Sequence, residues 1–337
     1  MLNRTHTVRA SSIALVLAVV VAGCGTDEEK VSDRTISTTS EIQTAEPVVD
    51  TTTPAPETQV AYTPPSANDV TYEQSETAFL EGRYDEAVTL FALYNERRPS
   101  NPWGHYMLGM SAWKSGRYDT AEVAFKEAVA LDSTLVKGYL NLARVLIESS
   151  RPTEAITTVD RAIAIGGESS VAFRLKGNAL TSLGQNDDAV AAYRHAIEID
   201  PEDAWSMNNL AFILIEQGRY DEALPALARA TELRTDVPVF FNNLGMALER
   251  TGHFRAAEDA YTFASSIDGV GSKSVANRER VAGVIEQPGL TPVDLAVLAT
   301  QFASEFAGAS SVATTTNEED ALTSTPADTT SSAQSPR

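Results

Sequence analysis

The side chains able to do chemistry here are amides, aromatic rings and one thiol. Asparagines recur in the stretches LNLA (140–143), MNNLA (207–211) and FNNLG (241–245). An asparagine amide carries both a donor and an acceptor, so it can pair with a peptide unit at two points. Asn141, Asn209 and Asn243 recur at equivalent places. Asn208 and Asn242 sit one residue earlier, beside Arg174 and Asn178. Together they read as a row that would hold an extended backbone, at about 1 kcal/mol net per bond. Capping or turn-bonding inside the array is the other use of such amides, but a mid-helix location argues against it. Upstream, Trp103, Tyr106, Met107, Met110 and Trp113 fall at spacings of 3, 1, 3 and 3. Trp and Tyr dominate binding hot spots, so the stripe either forms an aromatic pocket or packs on its neighbours. Bond-making chemistry has no such support. GxSxG, P-loop and HExxH patterns do not occur. His6, His105, His195 and His253 lack metal-ligand spacing, and the acidic runs at 187–188 and 318–320 read as solvated charge. A single cysteine excludes a disulfide framework and a multi-thiolate metal site. The sequence predicts no catalytic residue, metal site or cofactor.

Something must bring those residues to one face. The stretches EGRYDEA (81–87), SGRYDTA (115–121) and QGRYDEA (217–223) nearly repeat, and stepping by 34 from Gly82 lands on Gly116, Ser150, Gly184, Gly218 and Gly252. Five residues after each stands an alanine, six times in six: Ala87, Ala121, Ala155, Ala189, Ala223 and Ala257. Nine after come Phe91, Phe125, Val159, Tyr193, Leu227 and Tyr261. The period predicts antiparallel helix pairs, with the glycine in the turn, where positive φ is cheap without a Cβ. In the third copy Ser150 must turn without glycine, and Pro152 suits the first turn of the next helix. Pro225 falls inside a predicted helix and should bend or loosen it.

This pattern resembles the tetratricopeptide repeat, which has the same 34-residue period. Its upstream small residue is matched by Ser75, Gly109, Ala143, Gly177, Ala211 and Gly245, and its preceding leucine by Leu108, Leu142, Leu210 and Leu244; Gln74 and Lys176 depart from it. The resemblance implies an all-α solenoid of six helix-turn-helix repeats, at 68–101, 102–135, 136–169, 170–203, 204–237 and 238–271. It also implies a concave surface of leading helices that holds a peptide or protein segment. Arg174, Asn178 and Asn209 occupy places used by the carboxylate clamp of chaperone-tail-binding members, but Val239 and Asn243 replace its later cationic pair. Residues 272–308 are expected to cap the last repeat. The helix predicted over 291–306 extends that cap, docks on a partner or folds into the groove.

The ends are of another kind. Arg4 and Arg9 precede an apolar run, Ile13 to Ala22, too short for a membrane span. Val21-Ala22-Gly23-Cys24 resembles the lipobox of bacterial lipoproteins, which implies a leader over 1–23, an acylated Cys24 and a membrane anchor. Two or more chains are needed for stable anchoring, at about 0.8 kcal/mol per buried CH₂. Gly25 follows where an aspartate would resemble an inner-membrane retention signal, so the outer membrane is the expected address in a two-membrane cell. Residues 24–67 are a Thr/Ser/Pro/Glu-rich tether that buries too little apolar surface to fold, and 309–337 are a Ser/Thr-rich tail with the same logic. The net charge of −20 opposes nucleic-acid binding, which needs a basic surface.

These readings combine into a lipid-anchored, non-enzymatic envelope adaptor that holds a partner segment in its groove. The alternative is a permanent structural subunit of an envelope complex with no free-peptide ligand.

Overall fold

The computed structural model describes residues 70–269 and 271–307. The expected leader, Cys24, the tether and the tail at 309–337 lie outside the described residues. Six leading helices, α1 (Tyr72–Leu80), α3 (Pro102–Lys114), α5 (Val136–Glu148), α7 (Ser170–Ser182), α9 (Ala204–Glu216) and α11 (Pro238–Arg250), alternate with six trailing ones. These are α2 (Tyr84–Arg97), α4 (Tyr118–Leu131), α6 (Pro152–Gly166), α8 (Asn186–Ile199), α10 (Tyr220–Leu233) and α12 (Phe254–Asp268). Two more follow, α13 (Lys273–Val281) and α14 (Leu295–Phe306), and there is no strand among the described residues.

Local chemistry starts and stops these helices. Thr71 forms a capping box with Gln74, and Asn101, Ser169, Asp203 and Asp294 each accept a backbone N–H of the first turn. Pro102, Pro152 and Pro238 open their helices, where the missing N–H costs nothing. The intra-repeat turns pass through positive φ at Gly82, Gly116, Gly184, Gly218 and Gly252, and Ser150 makes the same turn at φ 57°.

Each leading helix packs on its trailing partner and on the next repeat, so no repeat buries its apolar face alone. The closest approach within a pair is tuned by one exchange. A Cβ at Gly109 would lie 2.7 Å from the Phe125 ring, one at Gly177 2.5 Å from Tyr193, and one at Gly245 2.6 Å from Tyr261. In the third and fifth repeats alanines, Ala143 and Ala211, face the smaller Val159 and Leu227 positions. In the second, fourth and sixth repeats the ring takes the space a Cβ would need, because interiors are packed to crystal-like density, whereas the first repeat holds Ser75 with Phe91 in the equivalent places.

Pro225 does not break α10, which runs unbroken across it. The carbonyl it crowds, four residues back at Asp221, lies in the first turn and can tilt outward. The C-terminal helices divide their work. α13 packs on α12 and closes the end of the array, whereas α14 returns to lie on α10, on the trailing-helix side. There it buries Ala299, Phe302 and Phe306, Arg194 of α8 pairs with Glu305, and the Arg194 guanidinium stands 5.3 Å over the Phe306 ring. The reason for that berth is legible in α10. Leu224 and Ala228 occupy the outward places that hold Glu122 and Lys126 in α4 and Glu258 and Thr262 in α12. The helix expected over 291–306 forms over Leu295–Phe306 and packs on α10 rather than on the leading helices.

Candidate functional site

Consecutive leading helices, α3 to α11, touch one another and make a continuous layer. On α3 the aromatic stripe divides between core and surface. Tyr106 and Met110 are buried, while Trp103 and Trp113 are half-buried. Trp103 meets the Tyr106 ring edge-on at 5.4 Å. Burial pushes the Tyr106 phenol above its ordinary value, so it serves as a neutral hydrogen-bond partner.

The asparagine row exists, but it faces inward. Asn141, Asn178, Asn208, Asn209 and Asn243 are all buried, and their amides are committed to neighbouring helices. Asn141 Nδ2 donates to Tyr106 Oη at 3.1 Å, and its Oδ1 accepts from Arg144 at 2.9 Å. Asn178 Oδ1 accepts from both Tyr193 Oη at 2.8 Å and Asn209 Nδ2 at 3.0 Å. Asn208 Nδ2 donates to Asn209 Oδ1 at 3.2 Å, and Asn243 Nδ2 donates to Asn208 Oδ1 at 2.9 Å. The chain Tyr193–Asn178–Asn209–Asn208–Asn243 thus stitches three leading helices together. Asn242, the one half-buried member, accepts from Asn277 of α13 at 2.9 Å. The expectation of open amides presented to a ligand is corrected accordingly. The close packing of leading helices places these positions at the helix–helix contact, where an unpaired amide would cost about 1–3 kcal/mol.

Arg174 is likewise engaged, and the carboxylate it holds is the protein's own. Its Nη1 donates to Asp203 Oδ1 at 2.5 Å. Ser170 Oγ donates to Asp203 Oδ2, and Ser206 donates to the same carboxylate through Oγ at 2.6 Å and its backbone N–H at 3.0 Å. Burial pushes the Asp203 carboxyl up, but Arg174 and these hydrogen bonds outweigh it and hold the group below its ordinary value. Asp203 is also the N-cap of α9, so this cluster fixes the fourth repeat to the fifth. The clamp-like triple of Arg174, Asn178 and Asn209 is a structural node.

What does reach the surface of the layer lies elsewhere on the same helices. Stepping by 34 from Met110 gives Arg144, Asn178, Phe212 and Met246, of which Arg144, Phe212 and Met246 are half-buried. Trp205 is also half-buried and meets the Phe240 ring edge-on at 4.9 Å. Arg144 Cζ stands 4.9 Å from the Trp113 ring centroid and Lys114 Nζ stands 4.7 Å from it. The 34-residue step was the available signal for Arg144, Phe212 and Met246, and the asparagine-rich stretches drew attention one turn away. Trp113 is thus flanked by two cations, whereas Trp205, Phe212 and Met246 are apolar. No group of three or more potential metal ligands exists among the described residues.

The architecture agrees with the family comparisons. A tetratricopeptide repeat model matches residues 112–179, a second model described as TPR repeat matches 177–218, and a third tetratricopeptide repeat model matches 204–237. Residues 112–237 therefore carry tetratricopeptide repeats, and the described residues form an all-α solenoid. Among solved structures, PilW, described as a widely conserved type IV pilus biogenesis factor, is similar at a TM-score of 0.54 and 16% identity, over 62% of this chain and 96% of that one. Pseudomonas aeruginosa PilF matches with a TM-score of 0.49 and 16% identity, over 63% of this chain and 90% of that one. YrrB, described as having an unusual peptide-binding site, matches with a TM-score of 0.41 and 20% identity, over 56% and 97%. At these identities the likeness is one of fold. No curated protein matches the chain.

Proposed function

We propose that the protein is a non-enzymatic adaptor of the bacterial envelope that receives a segment of a partner protein on its leading-helix face, held at the membrane through an acylated Cys24. The observation that carries this reading is the division of labour between the two sides of the solenoid. α14 packs on α10, while Trp103, Trp113, Arg144, Trp205, Phe212 and Met246 of the leading helices stay half-buried. Aromatic and arginine side chains are among the residue types that carry most of the energy of protein recognition. The amide row supports the site from beneath, fixing the spacing of the helices without touching the partner.

The test is site-specific photocrosslinking in the native envelope from position 212, with the 62%-exposed Val123 of α4 as the trailing-side control. The expected result is one defined partner captured from position 212 and lost in Trp113→Ala. Capture of the same partner from position 123 alone would place the interface on the other side and favour a permanent structural subunit.

A further inference from the structure

We infer that His195, Glu168 and Glu198 form a proton-operated latch on the joint between the third and fourth repeats, closed while the imidazole carries two protons and open once it loses one. His195 stands on α8, Glu198 lies one turn further along it, and Glu168 sits in the turn that joins α6 to α7. The imidazole Nδ1 is 3.0 Å from Glu198 Oε2, and Nε2 is 3.1 Å from Glu168 Oε2. Phe173 of α7 meets the ring edge-on at 4.3 Å and holds its plane. A neutral imidazole has one N–H, and an ionised carboxylate only accepts. Both bonds therefore coexist only in the imidazolium, and loss of a proton breaks one of them. Partial burial pulls the imidazolium down, but the bonds to Glu198 and Glu168 outweigh it and hold the group above its ordinary value. The latch accordingly stabilises the joint below the ordinary value of about 6.5 and releases it as pH rises through the folded value.

The turn at this joint lacks the closure of its counterparts. The Asn101, Leu135 and Asp203 N–H groups donate to the Arg98, Asp132 and Asp200 carbonyls and close the α2–α3, α4–α5 and α8–α9 turns. Gly167-Glu168-Ser169 passes through positive φ at Gly167 and makes no bond of that kind among the described residues. Glu168 ties it to the next trailing helix instead. Packing alone does not require histidine here. The sixth repeat holds Phe263 and Phe241 in the places of His195 and Phe173, 4.2 Å apart, and in the fifth Arg229 pairs with Glu232 as His195 does with Glu198. The fourth repeat alone fills this place with a group that charges near neutral pH. Other charges on the surrounding elements are engaged or remote. Arg174 and Lys176 of α7 pair with Asp203 and Asp160, and Arg194 of α8 with Glu305. Asp200 accepts the Glu202 N–H, Asp187 and Asp188 lie two turns or more back along α8, and α9 carries only Glu216, at its far end. Arg161 of α6 holds the same place one repeat earlier and is a like charge to the imidazolium. Three repeats lie on either side of the joint, and the leading-helix layer crosses it between α5 and α7.

The test uses the full chain in mild detergent, with histidine-ring NMR and amide hydrogen exchange followed across neutral pH. The His195 resonance is identified by its loss in His195→Gln, and circular dichroism checks that each variant is folded. Its midpoint is expected above about 6.5, and Glu168→Gln and Glu198→Gln should each move it down. Exchange is read as protection relative to the unstructured chain, which removes the chemical effect of pH. Protection over 167–175 is expected to fall about two- to fivefold as pH rises through the midpoint, while that of α11 stays level. In His195→Gln it should be low at every pH, and in His195→Arg, a permanent cation, high at every pH. A midpoint at or below about 6.5, or one that neither glutamine variant moves, would overturn the doubly bonded imidazolium. A raised midpoint with level protection would leave an ordinary surface ion pair and overturn the latch. Protection that still falls with pH in His195→Arg would give the response to another group, and the latch would fail equally.

Discussion

Gly109→Ala is the sharpest probe of how this array is packed. In an exposed helix the change would help, because alanine is favoured over glycine by about 1 kcal/mol. Here the new Cβ would sit 2.7 Å from both Cδ1 and Cε1 of Phe125, whereas carbon atoms prefer about 3.5–4.0 Å. The ring or the helix must therefore give by about 1 Å. Phe125 is 0% exposed and lies 5.8 Å from the Tyr106 ring, so it has little room to retreat. Overpacking of this kind costs about 1–3 kcal/mol. Net of the propensity gain, the expected loss is up to about 2 kcal/mol, or up to about 8 °C in melting temperature for an ordered region of this size. The assay is thermal unfolding followed by circular dichroism, with a double-mutant cycle. Gly109→Ala with Phe125→Leu rebuilds the Ala211–Leu227 pair of the fifth repeat. The double variant should be more stable than the sum of the two single losses predicts, by about 1 kcal/mol. A Gly109→Ala melting temperature at or above that of the parent would refute the ring-for-glycine account of the repeat.

Asn178→Ala removes the acceptor of both Tyr193 and Asn209 and should cost about 1–3 kcal/mol; melting unchanged within error would mean the inward amide chain is not a stabilising node. Asp203 has a folded value below its unfolded one, so its contribution is fully present above the ordinary carboxylate value of about 4 and is lost as pH falls below it. Asp203→Asn should accordingly flatten acid unfolding below about pH 4, read by circular dichroism. Phe302→Ala combined with Phe306→Ala should free α14, lower the melting temperature and expose Leu224 and Ala228 to solvent, detectable as increased binding of a hydrophobic dye. Cys24→Ser should move the protein from the detergent phase to the aqueous phase on partitioning; retention in the detergent phase would remove the lipid anchor from the functional reading.

Architecture was readable in the sequence because a strict period leaves little freedom. Glycine or its substitute at every 34th residue, alanine five later and a bulky residue nine later fix the helix pairs. Even Ser150 could be assigned its unusual turn by position alone. The site was harder to read. Asn141 and Asn243 carry the chemistry of a peptide binder, yet whether an amide meets a ligand or the next helix depends on interhelix distance. Asn141 meets Tyr106 and Asn243 meets Asn208, each on the preceding leading helix 35 residues away, a pairing that the asparagine stretches do not themselves encode. Arg174 shows the same limit, since its partner Asp203 lies 29 residues away and reads locally as an ordinary helix cap. α14 was assigned a helical stripe from Leu295, Leu298, Phe302 and Phe306, but its berth required comparing the outward positions of α10 with those of α4 and α12.

Stacked repeats ordinarily fray from their ends, because each module answers only to its neighbours. The return of α14 to α10 breaks that rule at the C-terminal side. Opening α12 and α11 in sequence would leave their distal neighbour still tied to the fifth module through Phe302 and to the fourth through Arg194. The last three modules should thus exchange their amide hydrogens as one cooperative block, while α1 and α2 exchange independently. Among the described residues, the N-terminal helix pair would be the loose end of the array and the C-terminal modules its rigid one.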